Sequence, residues 1–273
     1  MTIIDFHTHI FPDAIAPRAL AALIENAPGM KPCTDGTLDG LQKSMRRNGI
    51  DTSILLPVAT KPSQVETINA NCLDQQSASI VPFGSLHQDY QGFELEIDKL
   101  KKSGIKGIKL HPEYQNFYVD DKKMFPIYEA LQASGLIVVF HAGKDPGPFT
   151  NDHALPKAFK SVAKQFPLLK IVAAHMGGWM MWDDVEQLLG AQRIYFDTSA
   201  VNGHLSPSMF MRLVASRGID FILFGSDSPW FDQGASIRWI DALPLTDKEK
   251  EKVFYKNALR LLGTVSDLST QTA

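Results

Sequence analysis

Eight short apolar runs, each followed by a helical pattern, constrain this chain more than anything else in it. The runs occupy residues 3–6, 52–58, 80–86, 105–110, 136–140, 168–174, 193–197 and 219–224. Helical patterns follow at 14–26, 38–48, 65–76, 93–102, 122–133, 155–165, 181–189 and 208–216, and two more, 236–243 and 247–262, close the chain. Strands separated by helices pair in parallel, because parallel neighbours need a long crossover connection. The runs are close to continuously apolar, as expected of strands covered on both faces. Eight such units in 273 residues predict an α/β fold, a distorted (β/α)8 TIM barrel forming one domain over 1–273. The rival is an open doubly wound sheet, which binds nucleotides at a glycine-rich first turn. Here the first turn reads HTHIFPD, and no phosphate-loop pattern occurs. Residues 143–152 (GKDPGPFTND) read as a long loop after the fifth run, and the small polar residues after Thr264 as a fraying tail.

Composition removes several classes of function. The chain is 44% hydrophobic and 21% charged, an ordinary globular mixture rather than a disordered or fibrous one. Its formal charge is −3 and it has no lysine/arginine block, which argues against a nucleic-acid partner. No apolar run approaches the ~18 residues of a membrane span. The N-terminal residues lack the basic and long apolar regions of a signal peptide, so a cytoplasmic location is expected. Cys33 and Cys72 are too few for a disulfide framework or a cysteine-based zinc site, and we read them as inert.

The histidines track the strand ends. The first run ends in His7 and His9, the third in His87, the fourth in His111, the fifth in His141 and the sixth in His175; Asp197 and Asp227 end the seventh and eighth. Only His153 and His204 fall elsewhere. In a parallel barrel these ends meet on one face, where active sites are built. His7 and His9 are spaced i, i+2, which puts both imidazoles on one side of a strand. Neutral imidazole suits zinc, iron and related ions. Three imidazoles and one carboxylate match a catalytic metal site with an open position, where the pKa of a bound water falls towards ~7. The bland alternatives are turn histidines for His7 and His9, loop or cap histidines for His141, and a helix N-cap for Asp227.

Strand parity makes the fourth run informative. Lys109 and His111 share a face, so Lys109 points inward below His111. A buried lysine needs a partner, and the first reading is an ion pair with Asp5, taken to share a face with His7. The alternatives are a carboxylated lysine bridging two metals, or a cation holding a substrate carboxylate. Trp179, Met180, Met181 and Trp182 follow the sixth run, and Phe11, Trp230 and Phe231 follow the first and eighth. They read either as packing or a subunit contact, which allows a homodimer, or as the apolar wall of a pocket. His111, Lys109, Trp179 and Trp230 are the candidate substrate contacts.

The segments DFHTH, GIKLHP, FHAG, AAHMGG and FGSDSPW, in this order from residue 5 to residue 230, resemble the amidohydrolase superfamily. Within it the chain is similar to the amidohydrolase family 2 branch, which includes aminocarboxymuconate-semialdehyde decarboxylase and related metal-dependent hydrolases. The resemblance implies a distorted barrel with a divalent metal, zinc before other ions and one ion before two. It implies His7, His9, His141 and Asp227 as ligands, with His175 as a further ligand or a catalytic group beside the metal. Lys109 matches the strand on which binuclear members carry a carboxylated lysine.

The residues and the resemblance allow three functions. The main one is a metal-dependent hydrolase acting on an ester, lactone or amide of a small molecule. In it metal-bound hydroxide attacks, Asp227 accepts the proton of the water and passes it to the leaving group, and His175 stabilises the oxyanion. The alternative is a non-oxidative decarboxylase of a small carboxylic acid, which needs a cation beside the metal: Lys109, or Arg46 or Arg47, which fall on a helix and read as solvated. The third is a non-catalytic metal-binding barrel, against which the retention of all four expected ligands argues. A barrel alone does not choose among them.

Overall fold

Each apolar run carries a strand; the first strand extends past its run to Thr8, the third run is split into two strands, and the other strands are shorter than their runs. The computed structural model describes residues 1–27 and 29–263, so the expected tail lies outside the described residues. The strands are β1 (Ile4–Thr8), β2 (Thr52–Leu55), β3 (Ile80–Pro82), β4 (Gly84–Ser85), β5 (Gly107–Leu110), β6 (Ile137–Phe140), β7 (Lys170–Ala173), β8 (Ile194–Asp197) and β9 (Ile222–Leu223). The helices are α1 (Ala16–Asn26), α2 (Leu38–Asn48), α3 (Val65–Leu73), α4 (Phe93–Lys102), α5 (Pro112–Gln115), α6 (Phe125–Ser134), α7 (Pro156–Gln165), α8 (Trp182–Leu189), α9 (Pro207–Arg217), α10 (Gln233–Asp241), α11 (Asp247–Glu251) and α12 (Asn257–Leu262). Glycines end α2 and α6 in the left-handed conformation, Gly49 at φ 68° and Gly135 at φ 75°, as their place in the sequence predicts.

All strand pairs are parallel, in the orders β1-β2-β3 and β4-β5-β6-β7-β8-β9. β3 and β4 are one strand interrupted at Phe83, whose N–H still donates to the Leu55 carbonyl at 2.9 Å. Backbone bonds also join the first strand to the segment after the last. Phe6 N–H donates to Phe224 O (2.8 Å), Asp227 N–H to His7 O (2.9 Å) and His9 N–H to Ser228 O (2.7 Å). These bonds close the ring and make it an eight-stranded barrel.

The side chains sort into two layers. Ile4, Phe6, Ile54, Phe83, Val139 and Leu223 pack together inside the ring, with Ala258, Leu261 and Leu262 of α12. Ile108, Val138, Ile171, Phe196 and Ile222 face the helices instead. Burial of such side chains contributes roughly 1.5–3 kcal/mol each, which is what holds strands of two to five residues in place. Gly107 is required on the inner face, because a Cβ there would lie 2.3 Å from the Phe83 ring.

Three expectations change. The run 219–224 gives a 3-10 turn at Ile219–Phe221 and only two residues of strand. The helix expected over 122–133 opens with a 3-10 turn at Lys122–Met124 and becomes α-helical only from Phe125. The closing helix over 247–262 is interrupted by a π-helical turn at Lys252–Lys256. Within that turn the Val253 carbonyl accepts from Phe224 N–H at 2.9 Å. A widened turn frees a carbonyl that a regular helix would use internally, and here that carbonyl ties the helix to the end of β9. The helix α5, just after His111, is not evident from the sequence.

Candidate metal centre

A bulge in β1 sets the geometry of the site. β1 pairs with β2 at Ile4–Thr52 and Asp5–Ser53, then at Thr8–Leu55, so β1 carries one extra residue between Asp5 and Thr8. A bulge of this kind reverses the facing of the residues beyond it. Ile4 and Phe6 point into the barrel, and His7 and His9 also turn into its mouth. Asp5 points away, accepting from Ser226 Oγ (2.6 Å), Ser226 N–H (2.9 Å) and Gln233 Nε2 of α10 (2.7 Å). Burial pushes the Asp5 carboxyl up to about 6, against those bonds. The expected Asp5–Lys109 ion pair therefore does not form. Parity counting holds only for an unbroken pleat, and this pleat is broken.

Four imidazoles have their outer nitrogens tied down. His7 Nδ1 faces Asp197 Oδ2 at 2.8 Å, and His9 Nδ1 faces the Leu56 carbonyl at 2.7 Å. His141 Nε2 faces the Lys144 carbonyl at 3.0 Å, and His175 Nδ1 the Ser199 carbonyl at 3.1 Å. Each of these oxygens only accepts, so each outer nitrogen carries the proton and the other nitrogen presents a lone pair; the tautomers are assigned from this network. The lone pairs then face one another: His7 Nε2 and His9 Nε2 lie 3.2 Å apart, His175 Nε2 and His141 Nδ1 3.0 Å apart. Asp227 Oδ1 joins the first pair at 3.5 and 3.3 Å. Acceptors facing acceptors at hydrogen-bond distance repel unless a cation lies among them, and outer N–H groups held by carboxylate or carbonyl are the usual support of metal-ligating histidines. The residues therefore fit a divalent ion. His7, His9 and Asp227 converge directly. His141 reaches that group through His175, whose ring centroid lies 5.3 Å from that of His7 and 4.8 Å from that of His141.

Electrostatics agree with neutral rings and ionised carboxylates. Burial pushes His7 down to about 4 and lowers His175; it takes His141 well below its ordinary value. Burial would raise Asp197 and Asp227, but the neighbouring histidines hold both below the usual carboxylate range. Lys109 is fully enclosed, with Nζ 3.2 Å from His7 Nε2. Burial pushes it down to about 8, opposed by Asp197, Asp227, Asp145 and Glu113. Two site residues occupy the left-handed region, His175 at φ 57° and Asp227 at φ 73°; strain of this kind clusters at functional sites. Gly225 makes room beside them, since a Cβ there would lie 2.9 Å from that of His7.

His111 lies apart from this group. It stacks on His141, with centroids 4.3 Å apart and planes 9° from parallel, and has Asp145 Oδ2 3.5 Å from Nε2 and Glu113 Oε2 3.7 Å from Nδ1. His111, His141 and Asp145 are close enough to suggest a second ion, but the geometry opposes one. Parallel stacked rings cannot both aim an in-plane lone pair at one point, and His141 Nε2 already faces the Lys144 carbonyl. His87 turns aside, with Nδ1 accepting from Asp89 N–H at 3.2 Å.

The tryptophans divide differently from expectation. Trp182 is buried and bonds to the site, its Nε1 donating to the His175 carbonyl at 3.0 Å. Trp179 donates to the Ala200 carbonyl at 3.3 Å and sets its ring against His204. Trp230 is half-buried, and its N–H donates to Asp227 O at 2.9 Å, so it shapes the Asp227 turn through its backbone. Of residues 179–182 only Met180 is exposed, so the cluster does not supply the apolar surface suggested for a dimer. The sequence shows Asp197 as a strand end without a role, and gives no role to Ser199, Asp145 or Glu113. For Ser199 the one available signal is its position two residues after Asp197.

No protein of curated function matches the chain. Among solved structures, an uncharacterised TIM-barrel protein from Bordetella bronchiseptica aligns with a TM-score of 0.79 at 20% identity, over 96% of this chain and 99% of that one. The 5-carboxyvanillate decarboxylase of Sphingomonas paucimobilis aligns at 0.73 and 17% identity, over 96% and 99%. A dihydroxybenzoic acid decarboxylase from a Polaromonas species, solved with manganese and the inhibitor 2-nitroresorcinol, aligns at 0.73 and 18% identity, over 96% and 97%. At these identities the likeness establishes the fold, a TIM barrel. Among the described residues no helix is long and apolar enough to cross a membrane. The family model for amidohydrolases matches residues 4–264, nearly the whole length, and the chain belongs to the amidohydrolase family.

Proposed function

We propose that this protein is a metal-dependent, non-oxidative decarboxylase of a small carboxylic acid. The observation that carries this reading is Lys109, a buried ammonium 3.2 Å from the inward nitrogen of His7. A substrate carboxylate carries its charge from the start and is matched by a fixed cation at that point, whereas a neutral ester or amide brings no charge for it to bind in the ground state. Arg46 and Arg47 do not compete for the role, since both lie in the last turn of α2 and are exposed. Two structures of the same fold carry decarboxylase names, which supports the choice over the hydrolase reading.

In this reading His7, His9 and Asp227, with His141 and His175 beside them, hold one divalent ion. Zinc suits the imidazole-rich donors, and manganese is the ion named for the Polaromonas enzyme. The bound ion would polarise substrate oxygens as a Lewis acid. Lys109 pairs with the substrate carboxylate and orients it. The bond between that carboxylate and the adjacent carbon breaks, CO2 leaves, and the electron pair stays on carbon. Asp227 carries a solvent proton to that carbon, so one proton is consumed for each CO2 released. The chain acts as one cytoplasmic barrel domain on a small-molecule substrate.

The test loads the protein with manganese or zinc and offers aromatic carboxylates, lactones and amides in deuterated water. The expected result is CO2 release with one deuterium on the carbon that lost it. Hydrolysis of a lactone or amide without CO2 would overturn the reading and restore the hydrolase.

A further inference from the structure

We propose that Ser199 is a positioning residue, whose hydroxyl touches both His7 and His175 and holds the ring of His175 in its tautomer. Ser199 lies just beyond β8 and is fully buried. Its Oγ is 2.8 Å from His175 Nδ1 and 3.1 Å from His7 Nδ1, and it donates to Asp197 Oδ1 in a short hydrogen bond. A hydroxyl offers one proton and two lone pairs. With the proton committed to Asp197, both lone pairs are left for the two imidazole N–H groups. Each ring can thereby donate from Nδ1 and present Nε2 inward.

The two rings depend on this hydroxyl unequally. His7 Nδ1 also has Asp197 Oδ2 at 2.8 Å, a charge-assisted bond that survives without the serine. His175 Nδ1 has only the Ser199 carbonyl besides, at 3.1 Å. Asp197 in turn is held by the N–H groups of His175 and Ser199, both 3.1 Å from Oδ1. Loss of the hydroxyl therefore loosens His175 and leaves His7 in place. This asymmetry is what a specific positioning role predicts and a general packing role does not.

The inference rests on the proposed metal centre only for its consequence; the tautomers themselves can be read without metal or substrate. The experiment is nitrogen NMR on metal-free protein with 15N-labelled histidine, comparing wild type, Ser199→Ala and Ser199→Thr. In wild type both rings should show a protonated Nδ1 and a bare Nε2. In Ser199→Ala the His175 Nδ1–H keeps only the longer bond to the carbonyl of residue 199, so the His175 signals should shift from a single tautomer to a mixture, with His7 unchanged, and Ser199→Thr should restore them. Zinc affinity measured by chelator competition should fall by roughly 10-fold in Ser199→Ala, the low end for loss of a residue behind a ligand. Unchanged His175 signals in Ser199→Ala, or equal change in both rings, would overturn the proposal. If the alanine variant does not fold, Ser199→Gly, which keeps the backbone carbonyl, decides by the same signals. Failure of CO2 release leaves this result standing, and the reverse also holds.

Discussion

The barrel interior has two storeys built from the same strands. β1 gives Phe6 to the lower and His7 to the upper; β5 gives Gly107 and then Lys109; β6 gives Val139, and His141 follows just past its end. Below, Phe6 and Phe83 meet edge to face at 5.8 Å within an apolar cluster. Above, the polar atoms of His7, His9, His141, His175 and Asp197 are each directed at a named partner. One step along each strand thus separates two kinds of order. The lower storey is held by volume, where chemical identity matters less than fit. The upper is held by direction, where one atom changed in place is enough to disable it. The lower supports the upper, since it fixes the strand ends from which the polar groups project.

Asp227→Asn should break the comparison most strongly on the upper side. The change is isosteric, so the fold and the unfolding midpoint should hold. Turnover should fall by about 10²–10⁴-fold, the usual contribution of a positioned proton-transfer group. The measurement is CO2 release by protein reloaded with metal, with metal content determined in the same sample. Full activity in this variant would remove Asp227 from the chemistry.

Phe83→Ala makes the complementary cut in the lower storey. The ring is fully buried, packs on Phe6 and fills the space that Gly107 leaves open. Its loss should cost about 3–5 kcal/mol of stability, as removal of a large buried aromatic does. Denaturant unfolding measures this, and protein that remains folded should still take up metal at wild-type stoichiometry. A stable variant with lost metal would mean that the storeys are not separable.

How much of this is legible in the sequence depends on the range of the forces involved. Strand and helix alternation is a local pattern, and it yields the barrel with most element positions. The histidines at strand ends are legible for the same reason, since parallel topology brings all such ends to one face. The facing of Asp5 is not legible. Parity counting carries the alternation forward from Asp5 to His7, and the bulge between them reverses it. That one inserted residue turns an expected Lys109 ion pair into an ammonium beside His7. His111 falls correctly on a strand end, yet its stacking on His141 depends on α5 and on the loop 143–152, whose paths no periodicity encodes. The tryptophans fail similarly: Trp179 and Trp182 look equivalent in sequence, and only the start of α8 decides which one turns towards His175.

Trp182 therefore gives the finest probe of the boundary between site and scaffold. Its Nε1–H donates to the carbonyl of His175 at 3.0 Å, so it holds the backbone of a site residue and not its ring. Trp182→Phe keeps most of the apolar volume and removes that donor. A lost buried hydrogen bond costs about 1 kcal/mol, and more where its acceptor is left bare. Here the acceptor keeps a second, weaker partner, the Gly178 N–H at 3.4 Å. The loss should then stay near ~1 kcal/mol, read as a shift of the urea midpoint at constant slope. The His175 ring should stay in register, because its orientation is set from the other side by Ser199. Metal affinity should accordingly match wild type. A large loss of affinity would mean that the His175 backbone, held in its left-handed conformation, is positioned mainly by Trp182, and that the directional order of the upper storey extends outward into α8.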